Sequence, residues 1–164
     1  MTLRSPDKVS RWLAAARVYV GCVWFAYGTS KFEPDWARTE FLSTVKDCVA
    51  HSSGPIHAFL SDVVVPNQST FALLIAYGET LVGIALVLGL LTKAGAIGGM
   101  FLSMNYFVAT GQYKSRFGLE SIELMLFVFS LLLLVLPSAQ TFSLDSLVRR
   151  IRNRTSPAAA FETR

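Results

Sequence analysis

Four long apolar stretches, at about 12–32, 70–91, 94–110 and 119–137, alternate with polar segments along the chain. An α-helix rises 1.5 Å per residue, so roughly 20 residues cross the hydrocarbon of a bilayer. Each stretch is therefore expected to be a transmembrane helix, the third being the shortest. The first stretch carries Arg17 and Lys31, and no small-residue cleavage site follows a short apolar core, so it reads as a retained helix and not as a signal peptide.

Each stretch has one stripe that lipid would reject. In the first, Arg17, Gly21, Trp24, Gly28 and Lys31 recur at spacings of four and three. In the second, Gly83 and Leu86 share the face of Glu79. In the third, Gly98 and Leu102 share the face of Asn105. In the fourth, Glu120, Glu123, Phe127 and Ser130 align. Stripes of this kind point inward, and their glycines let neighbouring helices approach closely. The expected fold is an all-α integral membrane protein, a four-transmembrane-helix bundle with a polar interior.

Glu79 stands out, because the run from Phe71 to Leu91 contains no other charge. A carboxylate at the centre of a spanning helix costs about 2.5–3.5 kcal/mol on insertion scales. A proton, a basic partner or a water-lined cavity must offset that. Glu79 lies roughly 14 Å from the outer end of its helix, and Asn105 and Glu123 roughly 9 Å from the same side. Lys31, Lys114, Arg116 and Glu120 fall near the outer mouth, with Tyr27 one turn below Lys31. The polar groups thus gather in the outer half of the bundle, as a pocket open to the extracytoplasmic side or the outer leaflet would require.

Simpler roles compete at each position. Glu79 could pair with a lysine merely to fix helix register, although buried pairs are often replaceable by apolar residues. Asn105 could be interhelical glue. Arg17 is expected to snorkel to the cytoplasmic interface. Glu120 suits a helix N-terminus on dipole grounds alone. Of the three tryptophans, only Trp24 lies deep enough to line a pocket.

Composition agrees with the pattern: 52% of the 164 residues are hydrophobic and the mean hydropathy is +0.47. The net charge of +4 is unevenly placed. Arg4, Lys8 and Arg11, then Lys93, then Arg149, Arg150, Arg152 and Arg154 fall on one side if the four helices alternate. That side is expected to be cytoplasmic, giving N-in/C-in topology with a long extracytoplasmic loop at 33–69. The excess charge then faces an anionic leaflet and not nucleic acid. Two units follow: a transmembrane domain at 1–142 and a basic cytoplasmic tail at 143–164. Within the tail, Leu144, Leu147, Val148 and Ile151 at helical spacing predict an amphipathic surface helix over 143–154.

The two cysteines, Cys22 and Cys48, differ in depth, so a disulfide between them is not expected. His51 and His57 fit no zinc pattern, and no metal site is predicted. No phosphate loop, nucleophile elbow or haem attachment motif is present.

Several segments are similar to a known family. Residues 17–32, with Arg17, Gly21, Gly28, Lys31 and Phe32, resemble the opening of the DoxX/DoxD family. Val65, Pro66 and Asn67, followed by Gly78-Glu79 and the exit at Thr92-Lys93, are the nearest likeness. Residues 142–145 resemble the closing motif, while 137–141 depart from the Gly-rich segment usual there. The resemblance covers roughly 10–148. It implies a four-helix membrane subunit. In the DoxD branch it implies part of a thiosulfate:quinone oxidoreductase of a bacterial or archaeal cytoplasmic membrane, with a second protein subunit or a homo-oligomeric assembly.

Joined to the residues, that resemblance makes Glu79, Lys31 and Asn105 the candidate catalytic groups, with Glu79 the proton donor to a quinone. Trp24, Tyr27 and Phe127 would bind the quinone, with Phe25 beside them. Lys114, Arg116 and Glu123 would form the substrate site, the cations attracting the thiosulfate dianion. Cys48 is a candidate sulfur carrier. Two other classes stay open: a non-catalytic anchor for a soluble redox partner, and a small-solute or proton conduit with Glu79 as relay.

Overall fold

The computed structural model describes residues 8–33, 35–111 and 121–136. They form six helices and, among the described residues, no strands: α1 (Lys8–Ser30), α2 (Leu42–His51), α3 (Gly54–Phe59), α4 (Gln68–Leu88), α5 (Thr92–Ala109) and α6 (Ile122–Val135). The predicted surface helix at 143–154, and Lys114, Arg116 and Glu120, lie outside the described residues.

The four longer helices close a ring, α1 on α4, α4 on α5, α5 on α6 and α6 back on α1. The first contact is set by glycine. A Cβ on Gly21 would lie 2.7 Å from the Val87 backbone nitrogen, and one on Gly83 2.5 Å from that of Phe25. Gly28 meets Thr80 in the same way, so the two helices run antiparallel with backbones nearly touching. Arg17, Gly21, Trp24 and Gly28 of the predicted stripe are all buried. Glu79, Gly83 and Leu86 are buried on α4.

α4 ends as its sequence dictates. Gly89 takes the left-handed conformation (φ 64°) that a Cβ would disfavour. Its N–H donates to the Leu86 carbonyl (3.3 Å) and the Leu90 N–H to the Ala85 carbonyl (3.0 Å), a Schellman stop. α6 begins under a Ser121 cap, whose Oγ accepts from the Leu124 N–H at 3.3 Å.

One expectation is corrected and two gain detail. Arg17 is 2% exposed, so it is buried within the ring and does not reach an interface. On α5 the packed face is Thr92, Gly95, Ala96, Gly99 and Ser103, while Asn105 is exposed. Packing favours the smaller side chains, and the 98/102/105 stripe faces a cavity instead. Third, the segment 33–69 is not a simple loop. α2 and α3, each joined to a π-helical turn (Ala37–Phe41 and Leu60–Val64), fold into a cap over the α1 C-terminus and α4 N-terminus. The wide turns carry i→i−5 bonds, Phe41 N–H to the Trp36 carbonyl (3.0 Å) and Val65 N–H to the Leu60 carbonyl (2.9 Å). Phe41, Val45, Cys48, Leu60 and Val64 make the cap core against Ala72 of α4.

The outer surface of the ring is apolar. Leu73, Leu74, Tyr77 and Leu81 on α4, Ile97 and Phe101 on α5, and Met125 and Val128 on α6 are all exposed. The buried set includes Arg17, Glu79, Thr92, Ser103 and Ser130. Among the described helices, Gln68–Leu88 alone meets both the length and the apolar composition needed to span a bilayer; Ile122–Val135 is a shorter apolar helix.

Candidate functional site

The site is built where the charged end of α1 meets the middle of α4. Lys31 follows the last turn of α1, its N–H held by the Gly28 carbonyl (3.2 Å). Its ammonium pairs with the Glu79 carboxylate, 1% exposed against 12% for the lysine. Burial of this degree makes an unpaired charge very costly, so the carboxylate and the ammonium each supply the partner the other needs.

Three rings surround the ammonium. Its nitrogen lies 5.8 Å from the Tyr27 ring centre, 5.6 Å from Trp36 and 5.4 Å from Tyr106. Aromatic faces attract a cation at that range, so the lysine is held from several sides. The Tyr106 phenol lies close enough to Glu79 and Glu123 for both carboxylates to act on it. One Glu123 oxygen is buried without a hydrogen-bond partner. The described cluster therefore joins one ammonium, two carboxylates and a phenol from α1, α4, α5 and α6.

These groups form one wall of a cavity of about 840 Å³. That falls within the range of small-molecule sites. The walls are mostly apolar: Val82 and Leu102 toward the ring interior, Phe41, Val45 and Leu60 under the cap. Trp24, Tyr27, Lys31, Glu79, Asn105 and Glu123 all line it. The structure thus brings together six of the nine predicted site residues. Phe127 is half-buried and does not line the cavity. Lys114 and Arg116 lie outside the described residues. Asn105 reaches the cavity, but its Nδ2 donates to the Phe101 carbonyl of its own helix (2.7 Å). One of its two N–H donors is thus already engaged.

Two cavity residues, Tyr106 and Trp36, were not expected. Tyr106 continues the 98/102 spacing by one more turn, a signal the neighbouring Asn105 overshadowed. Trp36 lies just beyond α1, where the chain turns back over Lys31.

Cys48 also lines the cavity. Burial, and then the neighbouring Asp47 charge, push its thiol up from the ordinary value, so it is held as the unreactive thiol at neutral pH. Cys22 is exposed on α1, and both cysteines are free. His51 and His57 bond to backbone carbonyls of Asp47 (2.9 Å) and Val49 (3.0 Å), the second tying α3 to α2. Among the described residues no group of three potential ligands is placed to hold a metal ion.

An apolar exterior around a charged, ring-enclosed interior defines a helical membrane protein with an internal chamber. The chain belongs to the DoxX family, whose model matches residues 12–112, a membrane family sometimes associated with oxidoreductase subunits. No curated protein and no solved structure was found to match it.

Proposed function

We propose that this protein is a four-span subunit of a bacterial or archaeal cytoplasmic membrane, N-in and C-in, that binds membrane quinone in the cavity. Its role is to help pass electrons from thiosulfate, or a related reduced sulfur compound, to that quinone. The observation that carries this reading is the pairing of an apolar chamber of ligand size with the Lys31–Glu79 pair on its wall. A quinone presents the complementary surface: a flat apolar ring and tail, with carbonyl oxygens that need donors.

Lys31 and Tyr106 supply those donors, and Glu79 is the acid–base group within reach of both. Reduction of a quinone to a quinol takes up two protons with two electrons. A carboxylate held beside a phenol and an ammonium is suited to handing protons on, because a proton lost to the ligand can be replaced along the cluster. On the sequence pattern alone the sulfur donor is assigned to Lys114 and Arg116, since the described wall carries three carboxylates, Glu40, Glu79 and Glu123, that repel a dianion. A second subunit or a second copy of the chain completes the enzyme in this reading.

The test is a Glu79→Gln variant of the full chain in liposomes containing quinone, with candidate partner subunits supplied. Quinone-linked thiosulfate consumption should vanish while assembly with partners persists. Unchanged turnover would overturn the role of Glu79. Wild type with no quinone binding and no quinone-dependent thiosulfate consumption would overturn the whole reading. A proton or solute flux that needs no quinone, and changes in Glu79→Gln, would favour a conduit instead.

A further inference from the structure

The seam between α4 and α5 changes along its length. Near the short link at 89–91 the two helices touch. A Cβ on Gly95 would lie 3.2 Å from the Ala85 methyl, and one on Gly98 2.9 Å from a Val82 methyl. One turn further out the contact loosens. A Cβ on Gly78 would meet, among the described residues, only Leu102 methyls at 3.8 Å. The helices therefore splay as they run toward the cap. There the gap closes again, because Phe71 and Ala109 pack against the cap core. Phe71 stands seven positions before Gly78, so the gap is roughly 10 Å tall.

Leu74 and Phe101 stand on its two sides. Both line the cavity, yet they are 62% and 68% exposed. A side chain does both only where the chamber wall is also outer surface. On the same helices Tyr77, Leu81, Ile97 and Met104 are exposed without lining the cavity, so the overlap is local. Tyr27, Phe59 and Ile122 also line the cavity while exposed, but less so, at 44–51%. The posts of the gap are apolar. Gly78 between them lies at the middle of Gln68–Leu88, the described helix long and apolar enough to cross a bilayer. A gap at that depth opens into hydrocarbon and not into water.

Glu79 follows Gly78 in the chain, so the Lys31–Glu79 pair stands close behind the opening. A molecule that fills both places is polar at one end and hydrocarbon at the other. A long isoprenoid tail is far longer than a chamber of about 840 Å³ is wide. A quinone seated at the charged wall must leave most of its tail outside.

We propose that the α4–α5 gap is a side port: quinone enters the chamber from the bilayer and keeps its isoprenoid tail between Leu74 and Phe101. This rests on the quinone reading above and adds to it the route of entry and the tail as a recognised part of the ligand. The cap can then stay closed while the ligand exchanges.

The experiment uses the full chain in lipid nanodiscs. The probes are a tailless ubiquinone analogue and a long-tailed ubiquinone carrying a photoreactive diazirine on the tail near the ring. Irradiation of the wild type should label the peptides that contain Leu74 and Phe101, and excess unlabelled long-tailed quinone should abolish the labelling. Gly78→Phe puts a ring into the gap. It should weaken binding of the long-tailed probe about tenfold or more, as overpacking does, and weaken the tailless one far less. Equal binding of the long-tailed probe by wild type and Gly78→Phe overturns the port and leaves the quinone reading standing. So does competed label that falls on the cap or on α6. Equal loss of both probes also overturns it, since the new ring then blocks the chamber and not the tail. A phospholipid that copurifies with the wild type and not with Gly78→Phe, with the gap unlabelled, assigns the opening to an acyl chain and sinks the proposal. If Gly78→Phe fails to fold, the wild-type labelling decides. A wild type that binds neither probe overturns both readings.

Discussion

At the scale of single residues, the site centres on Lys31 and Glu79. Removing one member of a buried ion pair costs about 3–5 kcal/mol, because the survivor is left charged and unpaired, while replacing both by apolar residues is often neutral. Lys31→Met should therefore lower the thermal unfolding midpoint of the purified protein markedly, and Lys31→Met with Glu79→Leu should recover most of the loss. A double variant as unstable as the single one would show that the pair is not the source of the effect. Both residues were legible in the sequence, since a charge inside an apolar run has few explanations. Tyr106 and Trp36 were not, since aromatic residues are ordinary in membrane helices and only three-dimensional proximity sets them around Lys31. Cys48 gives a pH test. Its raised thiol means less thiolate at any given pH. Its alkylation rate should keep rising with pH beyond about 8.5, where an ordinary thiol levels off, and Asp47→Asn should move the curve toward lower pH. Rapid alkylation of Cys48 in the folded protein at pH 7 would contradict this.

Between elements, the α1–α4 seam is the most constrained feature. Gly83→Ala places a methyl 2.5 Å from the Phe25 backbone, where nothing flexible can yield. Overpacking of this kind costs about 1–3 kcal/mol. Gly78→Ala, whose nearest neighbour would be a Leu102 methyl at 3.8 Å, should be tolerated. Equal melting of the two variants would refute the close-contact account. The seam was legible because its glycines recur at helical spacing with Arg17 and Lys31. The cap was not. Its buried positions 41, 45, 48, 60 and 64 are few, and they are interleaved with exposed Glu40, Lys46, Asp47 and Asp62. Their apolar face forms only against the first turns of α4. The same dependence predicts that Val45→Asp, which puts a charge into the cap core, opens the segment from Ala37 to Val64 to limited proteolysis while α1 and α4 stay protected.

For the whole molecule, the sorting of side chains is inverted relative to a water-soluble bundle: Arg17, Glu79 and Ser130 are inside, while Leu81, Phe101 and Val135 are outside. Hydropathy made the helices and their inward stripes readable. It misplaced Arg17, because the apolar run begins only at residue 12 and puts the arginine near the end of the expected span, whereas α1 begins at Lys8 and the ring encloses Arg17. The antiparallel ring sets a topology that can be checked. Single cysteines introduced at Lys8 and Lys93 should react with a membrane-impermeant maleimide only from the cytoplasmic side, and one at Glu40 only from the opposite side. Labelling of Lys93 and Glu40 variants from the same side would contradict the spanning arrangement.

The ammonium and its carboxylate are 48 positions apart in the chain, and this separation constrains biogenesis. During synthesis the lysine leaves the ribosome well before its counter-charge has been polymerised. Until α4 has been made, the amine has no carboxylate of the site to meet. The charged wall of the chamber is thus completed only when α4 packs against α1, and a chain truncated before residue 79 would lack it altogether.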